Sequence, residues 1–366
     1  MAEETTALKI LFLGEPSSPN TNSWIEGLEG AGCKVYPASV RKAGEANWYS
    51  IGNPKLPPRL RILTGVPSLK RLIKKLQPDI IIAYRVTSYG YLAARTGFHP
   101  LILAAQNEQI VYLPRPSYFR RKFLNFCVKY AIKRANLIHS WGKNITNGLK
   151  KFEAEEKKIL TLHRGIDTVK FNLSLRKKEF DKLAPVFIST RTLAPEYLID
   201  KLITGFGKFV KQNPKAQLII AGTGTEEASL KELTKDLKLE NNIIFKGRVN
   251  QNILLELLNA SDFYISVIAT EGISSSLIES IACGLCPIAV NMPASKILIN
   301  DKENGLLIPC PKVELICNTM IEAVSIYDKI HKQIIKNAEN IIRNYNRTLN
   351  QKKFINAYKA VIKNEY

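Results

Sequence analysis

Short apolar runs alternate along this chain with longer stretches in which apolar residues recur every three or four positions. The short runs are typical of buried parallel strands, and the longer stretches are typical of helices that cover a sheet. The predicted strands are Leu8–Leu13, Cys33–Pro37, the run within Gln77–Tyr84, Leu101–Ala104, Asn136–Ser140, Val186–Ser189, the run within Gln217–Gly224, Ile243–Phe245, Asp262–Ser266 and Pro287–Val290. The clearest predicted helices are Trp24–Gly30, Ser68–Leu76, Ser117–Arg134 and Gln351–Ile362, whereas Arg41–Arg61 is expected to be irregular. This order predicts an α/β chain with doubly wound parallel sheets.

The length of the chain indicates two domains. At 366 residues it exceeds what one core usually supports, and its 45% hydrophobic residues are enough to fill two cores. We expect one domain over residues 1–183 and a second domain from residue 184 to about residue 347. The sequence contains no apolar run of about 18 residues and no signal-peptide pattern, so we expect neither a membrane span nor secretion.

The positive charge is concentrated in the first half. Of the net charge of +21, residues 1–183 contribute +17 (31 Lys and Arg against 14 Asp and Glu) and residues 184–366 contribute +4. Such asymmetry indicates an anionic partner, which could be a membrane surface, a phosphorylated acceptor or nucleic acid. A lysine-rich solvated surface explains it equally well. The helix Ser117–Arg134 interleaves aromatic and cationic residues, so it either lies on an anionic bilayer or faces the core with a basic outer side.

The cysteines and His139 are expected to be core residues. The six cysteines are scattered in apolar settings, which is typical of reduced thiols in a cytosolic protein. Cys283 and Cys286 form one CxxC pair, but no second pair or paired histidines complete a tetrahedral site, so we expect no metal. His139 belongs to a predicted strand, and we expect a buried or edge imidazole there, with a catalytic role as the less favoured alternative.

The stretch Thr270–Val290, TEGISSSLIESIACGLCPIAV, carries the clearest candidate chemistry. It predicts a loop, a helix that Gly284 and Pro287 end, and a buried strand. The serines Ser274–Ser276 would place backbone N–H groups and the positive end of the helix dipole where a phosphate can bind. Glu271 precedes the helix and Glu279 lies inside it, so a helical rise of about 1.5 Å per residue separates their carboxylates by roughly 12 Å.

This stretch resembles the E-x7-E signature of the retaining glycosyltransferases of the GT-B type, family 4, also called glycosyl transferases group 1. NGLLIP at Asn304–Pro309, HRGIDTVKF at His163–Phe171 and the run from Ser189 to Phe206 extend the resemblance. It implies a GT-B fold, with two Rossmann-like doubly wound domains and an interdomain cleft. In this fold a C-terminal helix, here at about 348–366, joins the N-terminal, acceptor-side domain of residues 1–183, and residues 184–347 form the nucleotide-sugar-binding domain. It also implies transfer of a hexosyl-type sugar from a nucleoside-diphosphate sugar of the UDP or GDP type to a glycan or lipid-linked acceptor, in polysaccharide or glycoconjugate synthesis.

The resemblance assigns roles to individual residues. Glu279 is implied to bind the ribose, Glu271 the transferred sugar, and Arg191 the diphosphate, with Lys246 as a candidate replacement for a lysine that the family has near Glu196 or Tyr197. The implied donor-binding residues are Arg191, Gly222, Lys246, Gly272, Ile273, Ser274, Ser275, Ser276, Leu277 and Glu279. The sequence contains no D-x-D motif, which agrees with a metal-independent site and with no cofactor beyond the nucleotide sugar.

The loop after Ala104 departs from the family pattern. It reads Gln106, Asn107, Glu108, Gln109, and Glu108 is its titratable residue, so the general-base role falls to Glu108 by default. An alternative is therefore an inactive relative that binds nucleotide sugars or anionic surfaces. Nucleic-acid binding is less favoured, because no recognised nucleic-acid module is present. We expect a cytoplasmic protein, with peripheral binding to the inner face of the membrane as an open alternative.

Overall fold

The chain folds into two compact α/β units. A computed structural model describes residues 7–41, 47–53, 55–105, 118–176, 178–268 and 273–363. Unit 1 comprises Met1–Arg164 and Thr348–Tyr366, and unit 2 comprises Gly165–Arg347. Each unit contains one parallel sheet, which confirms the predicted fold class.

The elements follow one another in chain order with strands and helices alternating. The strands are β1 (Lys9–Leu13), β2 (Lys34–Ser39), β3 (Tyr49–Ser50), β4 (Ile80–Ala83), β5 (Leu101–Ala105), β6 (Leu137–Ser140), β7 (Ile159–Thr161), β8 (Val186–Ser189), β9 (Gln217–Ile220), β10 (Ile243–Phe245), β11 (Phe263–Ser266), β12 (Cys286–Val290) and β13 (Leu306–Ile308). The helices are α1 (Pro19–Gly30), α2 (Pro58–Leu76), α3 (Tyr91–Ala94), α4 (Tyr118–Arg134), α5 (Lys143–Lys151), α6 (Ile199–Val210), α7 (Glu227–Asp236), α8 (Gln251–Asn259), α9 (Ser275–Ala282), α10 (Val313–Asn344) and α11 (Arg347–Ile362).

The sheet of unit 1 has the strand order β3-β2-β1-β4-β5-β6-β7. Ile10 of β1 pairs in parallel register with Val35 of β2 on one side and with Ile80 of β4 on the other. Strands β4 and β5 are buried along their whole length, as expected where helices cover both faces of a parallel sheet. Strands β2 and β3 lie on one side of β1, and strands β4 to β7 lie on the other side. The direction in which successive strands are added to the sheet therefore reverses between β1 and β4.

The sheet of unit 2 has the strand order β10-β9-β8-β11-β12-β13, with the corresponding reversal between β8 and β11. All its pairings are parallel, so the loops after β8, β10 and β11 leave the sheet at one edge. In such sheets the loops at the carboxyl ends of the strands, next to the reversal, form the usual ligand site.

The C-terminal helix belongs to unit 1. Phe354 of α11 packs with its ring centroid 4.8 Å from that of Trp24 in α1, and Gln351 donates to the Trp24 carbonyl oxygen at 3.4 Å. The units divide after Arg164, whereas the sequence-based division placed the boundary at residue 183. The segment after Arg164 joins unit 2 because Ile166 donates to the Tyr345 carbonyl at 2.7 Å and accepts from Arg347 at 2.9 Å.

The described residues between Arg41 and Arg61 include regular structure that their composition did not indicate. It contains strand β3, and helix α2 begins at Pro58, where the fixed backbone angle of proline suits the first turn. Trp48 and Tyr49 are half-buried, because β3 pairs with β2 and the ring centroid of Tyr49 lies 6.4 Å from that of Tyr36.

Helix α4 packs one side against the core of unit 1 and exposes aromatic and basic side chains on the other. Val128 and Ala131 are buried in the core of unit 1, whereas the side chains of Tyr118, Phe119, Phe123 and Phe126 are 73%, 81%, 59% and 54% exposed. We call these four residues the aromatic face. Lys122 and Lys133 are exposed on the same helix. Across the described ranges, no helix is both long and apolar enough to cross a membrane.

Candidate functional site

Arg191 is fixed at the carboxyl edge of the sheet in unit 2. It follows β8, is only 5% exposed, and donates from Nη1 to Ser274 Oγ at 2.7 Å and to Ser276 Oγ at 3.1 Å. Its guanidinium carbon lies 4.6 Å from the ring centroid of Tyr197, which is a cation–π arrangement. The sequence singled out Tyr197 only as the residue where a lysine was expected, and the structure shows it packing against Arg191 instead.

The serines lie at the first turn of α9. Ser274 is the N-cap residue with an extended backbone (φ −75°, ψ 126°), and its carbonyl oxygen accepts from the Ile278 N–H at 3.1 Å. Its side chain does not cap the helix and instead accepts from Arg191. The positive end of the helix dipole and a guanidinium therefore lie side by side, and both attract an anion.

The hydroxyl groups around Arg191 leave one proton directed away from the cluster. Ser276 Oγ accepts from Arg191 and from Tyr264 Oη at 3.0 Å, so both of its lone pairs are used and its own proton goes to Ser274 Oγ, 2.9 Å away. Ser274 Oγ then accepts twice, from Arg191 and Ser276, which leaves its proton to be donated to another acceptor. A cluster that offers donors suits an oxygen-rich anion such as a diphosphate.

Tyr264 was not identified from the sequence. It is fully buried in β11, and its hydroxyl also lies 3.5 Å from Thr190 Oγ1, next to Arg191 in the chain. The signal that could have identified it is a phenol hydroxyl between two apolar residues of a buried strand, close to the edge where the loops begin.

The glycine turn after β9 supports the loop that carries Arg191. A Cβ on Gly222 would lie 2.1 Å from the Arg191 carbonyl oxygen, and a Cβ on Gly224 would lie 2.1 Å from that of Leu193. The two loops are also joined by hydrogen bonds from Leu193 N–H to Thr223 O at 3.1 Å and from Glu226 N–H to Leu193 O at 3.0 Å. Only glycine permits this approach, so Gly222 acts on Arg191 through its backbone.

Lys246 lies at the same edge of the sheet but farther from the cluster. Its backbone N–H donates to Ile220 O at 2.9 Å where β10 ends, and its side chain is exposed. Two strand spacings of about 4.8 Å separate β10 from β8, so the backbones carrying Lys246 and Arg191 are roughly 10 Å apart. The structure therefore places Lys246 at the same edge of the sheet as Arg191, two strands away.

Glu279 lies in the second turn of α9 and is half-buried. Burial, followed by the charge of Glu279, raises the pKa of the Cys283 thiol to about 12. Burial likewise raises the pKa of Cys286 well above its usual range. The CxxC pair thus consists of buried, protonated thiols, which confirms the expectation that both are core residues.

The other predicted site residues have different surroundings. Leu277 is buried in the core beneath α9, and Ile273 and Ser275 are half-buried. Glu271, Gly272 and Glu108, with the rest of Gln106–Gln109, lie outside the residues that the structure describes.

Comparison with known proteins identifies relatives of both units. Residues 171–341 match the family model of the glycosyl transferases group 1, and residues 9–141 match that of glycosyl transferase 4-like proteins. An uncharacterized glycosyltransferase of Methanocaldococcus jannaschii is 24% identical over 302 residues, which cover 78% of this chain and 75% of that protein. The alpha-monoglucosyldiacylglycerol synthase of Streptococcus pneumoniae is 25% identical over 283 residues, which cover 71% of this chain and 64% of that protein.

A solved structure shares the architecture of the whole chain. Anabaena Alr3699/HepE in complex with UDP aligns with a TM-score of 0.77 at 17% identity, over 96% of this chain and 100% of that chain. At this level of identity the likeness concerns the fold.

Proposed function

Because the chain belongs to the glycosyl transferases group 1 and has their GT-B fold, we propose that it is a retaining, hexosyl-type glycosyltransferase. In this proposal unit 2 binds a nucleoside-diphosphate sugar of the UDP or GDP type, and the acceptor is a glycan or a lipid-linked intermediate in polysaccharide or glycoconjugate synthesis. The observation that carries the proposal is the cluster of Arg191, Ser274 and Ser276 at the start of α9.

The cluster suits the leaving group of a glycosyl transfer. When the bond between the anomeric carbon and the diphosphate oxygen breaks, negative charge develops on the diphosphate. A guanidinium, a helix N-terminus and the Ser274 proton, all in place before the reaction, stabilise that charge without reorganising. In this proposal no metal or other cofactor is needed for this step, and Lys246 approaches the diphosphate from the neighbouring loop.

The remaining roles follow the resemblance. Glu279 accepts hydrogen bonds from the ribose hydroxyls, and Glu271 contacts the transferred sugar. The acceptor hydroxyl attacks the anomeric carbon on the face that the diphosphate leaves, and Glu108 takes its proton. Of these three carboxylates, Glu279 lies among the described residues, one turn after the serines in α9.

A nucleotide titration tests the donor site. The purified protein is titrated calorimetrically with UDP, GDP and ADP, then with UDP- and GDP-sugars, with Glu279→Ala as the comparison. Selective binding that Glu279→Ala weakens supports the donor site and identifies the base. Absence of binding by every nucleotide contradicts the proposal and favours an inactive relative that binds anionic surfaces.

Turnover separates an enzyme from a nucleotide-sugar-binding relative. If the chain is an enzyme, slow hydrolysis of the preferred nucleotide sugar in the absence of acceptor should be detectable, and Glu271→Ala should lower its rate more than it lowers nucleotide affinity. NMR of the first sugar released reports whether the anomeric configuration is retained. Tight binding without any turnover supports the inactive relative, and an inverted product contradicts retention.

We also propose that unit 1 binds the cytoplasmic face of an anionic membrane through the aromatic face of α4. Aromatic rings with lysines beside them suit the interface of an anionic bilayer, where the rings enter the headgroup region and the ammonium groups meet lipid phosphates. The lysines disfavour a second copy of the chain as the occupant, because like charges would meet across a symmetric contact.

Vesicle sedimentation tests this membrane contact. We expect the protein to pellet with vesicles that contain phosphatidylglycerol, and Phe119→Ser with Phe123→Ser to weaken this binding at least about tenfold, since each exposed ring contributes apolar area. Leu183→Ser is the matched control, because Leu183 is 73% exposed in unit 2. Equal loss in both variants, or dimerisation that the double variant abolishes, would contradict the membrane assignment.

A further inference from the structure

A buried carboxylate in unit 1 holds two arginines from neighbouring loops. The side chain of Glu15 is 8% exposed, and its Oε2 lies 2.9 Å from Arg41 Nε while its Oε1 lies 3.6 Å from Arg85 Nη1. Tyr89 donates its hydroxyl proton to Glu15 Oε1 at 3.3 Å, and the Tyr89 oxygen lies 2.9 Å from Ser39 Oγ. Burial is the main reason why the pKa of Tyr89 is raised to about 12, so the phenol keeps the proton that it donates.

The three charged residues occupy equivalent places in the fold. Glu15 stands two residues after the end of β1, Arg41 two residues after the end of β2, and Arg85 two residues after the end of β4. Strand β1 lies between β2 and β4, and the winding of the chain reverses between β1 and β4. The loops after β1 and β4 therefore diverge over the sheet, which is where doubly wound sheets bind their ligands.

The charges of this group do not balance. One carboxylate faces two guanidiniums, so the group carries a net charge of +1. The side chains of Arg41 and Arg85 are 57% and 51% exposed, and within the described parts of the chain neither guanidinium has another ion pair or hydrogen bond. Each guanidinium carries five N–H donors, so most of these donors remain available beside Glu15.

Arg85 is also held in an uncommon backbone conformation. Its φ of 152° is one that residues with a side chain rarely adopt, and the π-helical turn Val86–Gly90 follows immediately. Strained residues and π-helical turns are enriched at ligand sites, where the backbone strain is tolerated because it holds a side chain in the direction that binding requires. A salt bridge that only stabilised the fold would need one arginine beside Glu15, and it would not need the uncommon backbone conformation of Arg85.

We propose that Arg41 and Arg85, positioned by Glu15, form an oxyanion-binding site that takes a phosphoryl group. Two forked guanidiniums match the several oxygens of a phosphate better than the two oxygens of a carboxylate. The identification of this phosphate as part of the acceptor rests on the proposed function, since unit 2 is assigned to the donor. The existence of the site does not depend on that function.

Two soluble probes distinguish the possible sources of the phosphate. Methyl phosphate represents a phosphate monoester, and dimethyl phosphate represents the diester of a lipid headgroup or a lipid-linked chain. Calorimetric titrations use the full chain carrying Arg191→Gln, which removes the proposed phosphate contact of unit 2. We expect this parent protein to bind at least one of the two probes, and the stronger one gives the ester class.

The decisive variant neutralises the whole group, with Glu15→Gln, Arg41→Gln and Arg85→Gln together in the same parent. No buried carboxylate is left unpaired in it, and its net charge falls by one. We expect its affinity for the preferred probe to fall by a factor of at least about ten, the effect of losing one or more charge-assisted hydrogen bonds. Lys75→Gln is the charge-matched control, because Lys75 is exposed at the end of α2, next to the amino ends of the strands.

Each outcome decides the proposal. Retained affinity in the triple variant, an equal loss in Lys75→Gln, or no binding of either probe by the parent would overturn it. The double variant Arg41→Lys with Arg85→Lys keeps both positive charges, and we expect it to bind the preferred probe several-fold more weakly than the parent. It replaces the triple variant in this test if the triple variant does not fold. Nucleoside-diphosphate binding to the protein that retains Arg191 is measured in parallel, so that failure of the donor site is distinguished from failure of this site.

Discussion

Replacement of Arg191 by Gln should weaken the binding of a nucleoside diphosphate without weakening that of its nucleoside. Arg191 is held by Ser274 and Ser276 at the start of α9, where the donor diphosphate is proposed to bind. Glutamine removes the charge while keeping a polar side chain. The ribose and base contact other residues in the proposal, so the loss should be confined to ligands that carry phosphate.

The expected magnitude follows from the hydrogen bonds that are lost. A hydrogen bond to a charged group contributes about 1.5–3 kcal/mol, and about 1.4 kcal/mol corresponds to a tenfold change in affinity. Arg191 is only 5% exposed, so water does not screen the contact strongly. We therefore expect the dissociation constant of the diphosphate to rise by a factor of roughly 10 to 150.

Calorimetry with the preferred nucleoside diphosphate and its nucleoside measures this difference. Ser276→Ala is an informative companion, since it removes an acceptor of Arg191 and of Tyr264 and should weaken only the diphosphate, by about fivefold. If Arg191→Gln weakens both ligands equally, or neither, then Arg191 does not bind the diphosphate and the proposed donor site is wrong.

Three further predictions test the same description. Glu279→Ala should weaken the nucleoside and its diphosphate alike by at least about tenfold, because a carboxylate that accepts ribose hydroxyls is lost; Glu256→Ala, an exposed change in α8, should have no effect on the calorimetric affinity. Gly222→Ala should lower the free energy of unfolding by about 1–3 kcal/mol and weaken diphosphate binding, because the new Cβ would lie 2.1 Å from the Arg191 carbonyl oxygen. Gly30→Ala is the control and should change neither quantity, because a Cβ at that position has no atom within 4 Å. Burial lowers the pKa of His139 from 6.5 to about 3, so between these values the unfolded state binds more protons and stability falls as the pH falls. His139→Gln should make this fall shallower below pH 6.5, by up to about 1.4 kcal/mol per pH unit, and identical denaturation profiles of both proteins between pH 7.5 and 5 would show that the imidazole is not buried in its neutral form.

Local sequence patterns were sufficient to predict the central strands of both sheets and the main motif. Buried strands such as β4 and β5 read as continuous apolar runs, because helices cover both faces of a parallel sheet. The start of α9 at Ser275 follows from three serines before an apolar periodicity. The short edge strands β3, β7 and β13 are absent from the predicted strands, since two or three residues contain no measurable periodicity and pairing with a neighbouring strand decides their conformation.

Local sequence patterns predicted the class of fold, its two sheets and the helix whose N-terminus is the candidate phosphate site, because these depend on residues within a few positions of one another. Which side chains contact one another depends instead on the three-dimensional fold. Arg191 reaches serines 83 and 85 residues away, and Glu15 lies against Tyr89, 74 residues away. These side-chain contacts depend on the order of strands in each sheet, because that order brings the carboxyl ends of strands distant in sequence to one edge. No local periodicity of the sequence encodes the order of the strands.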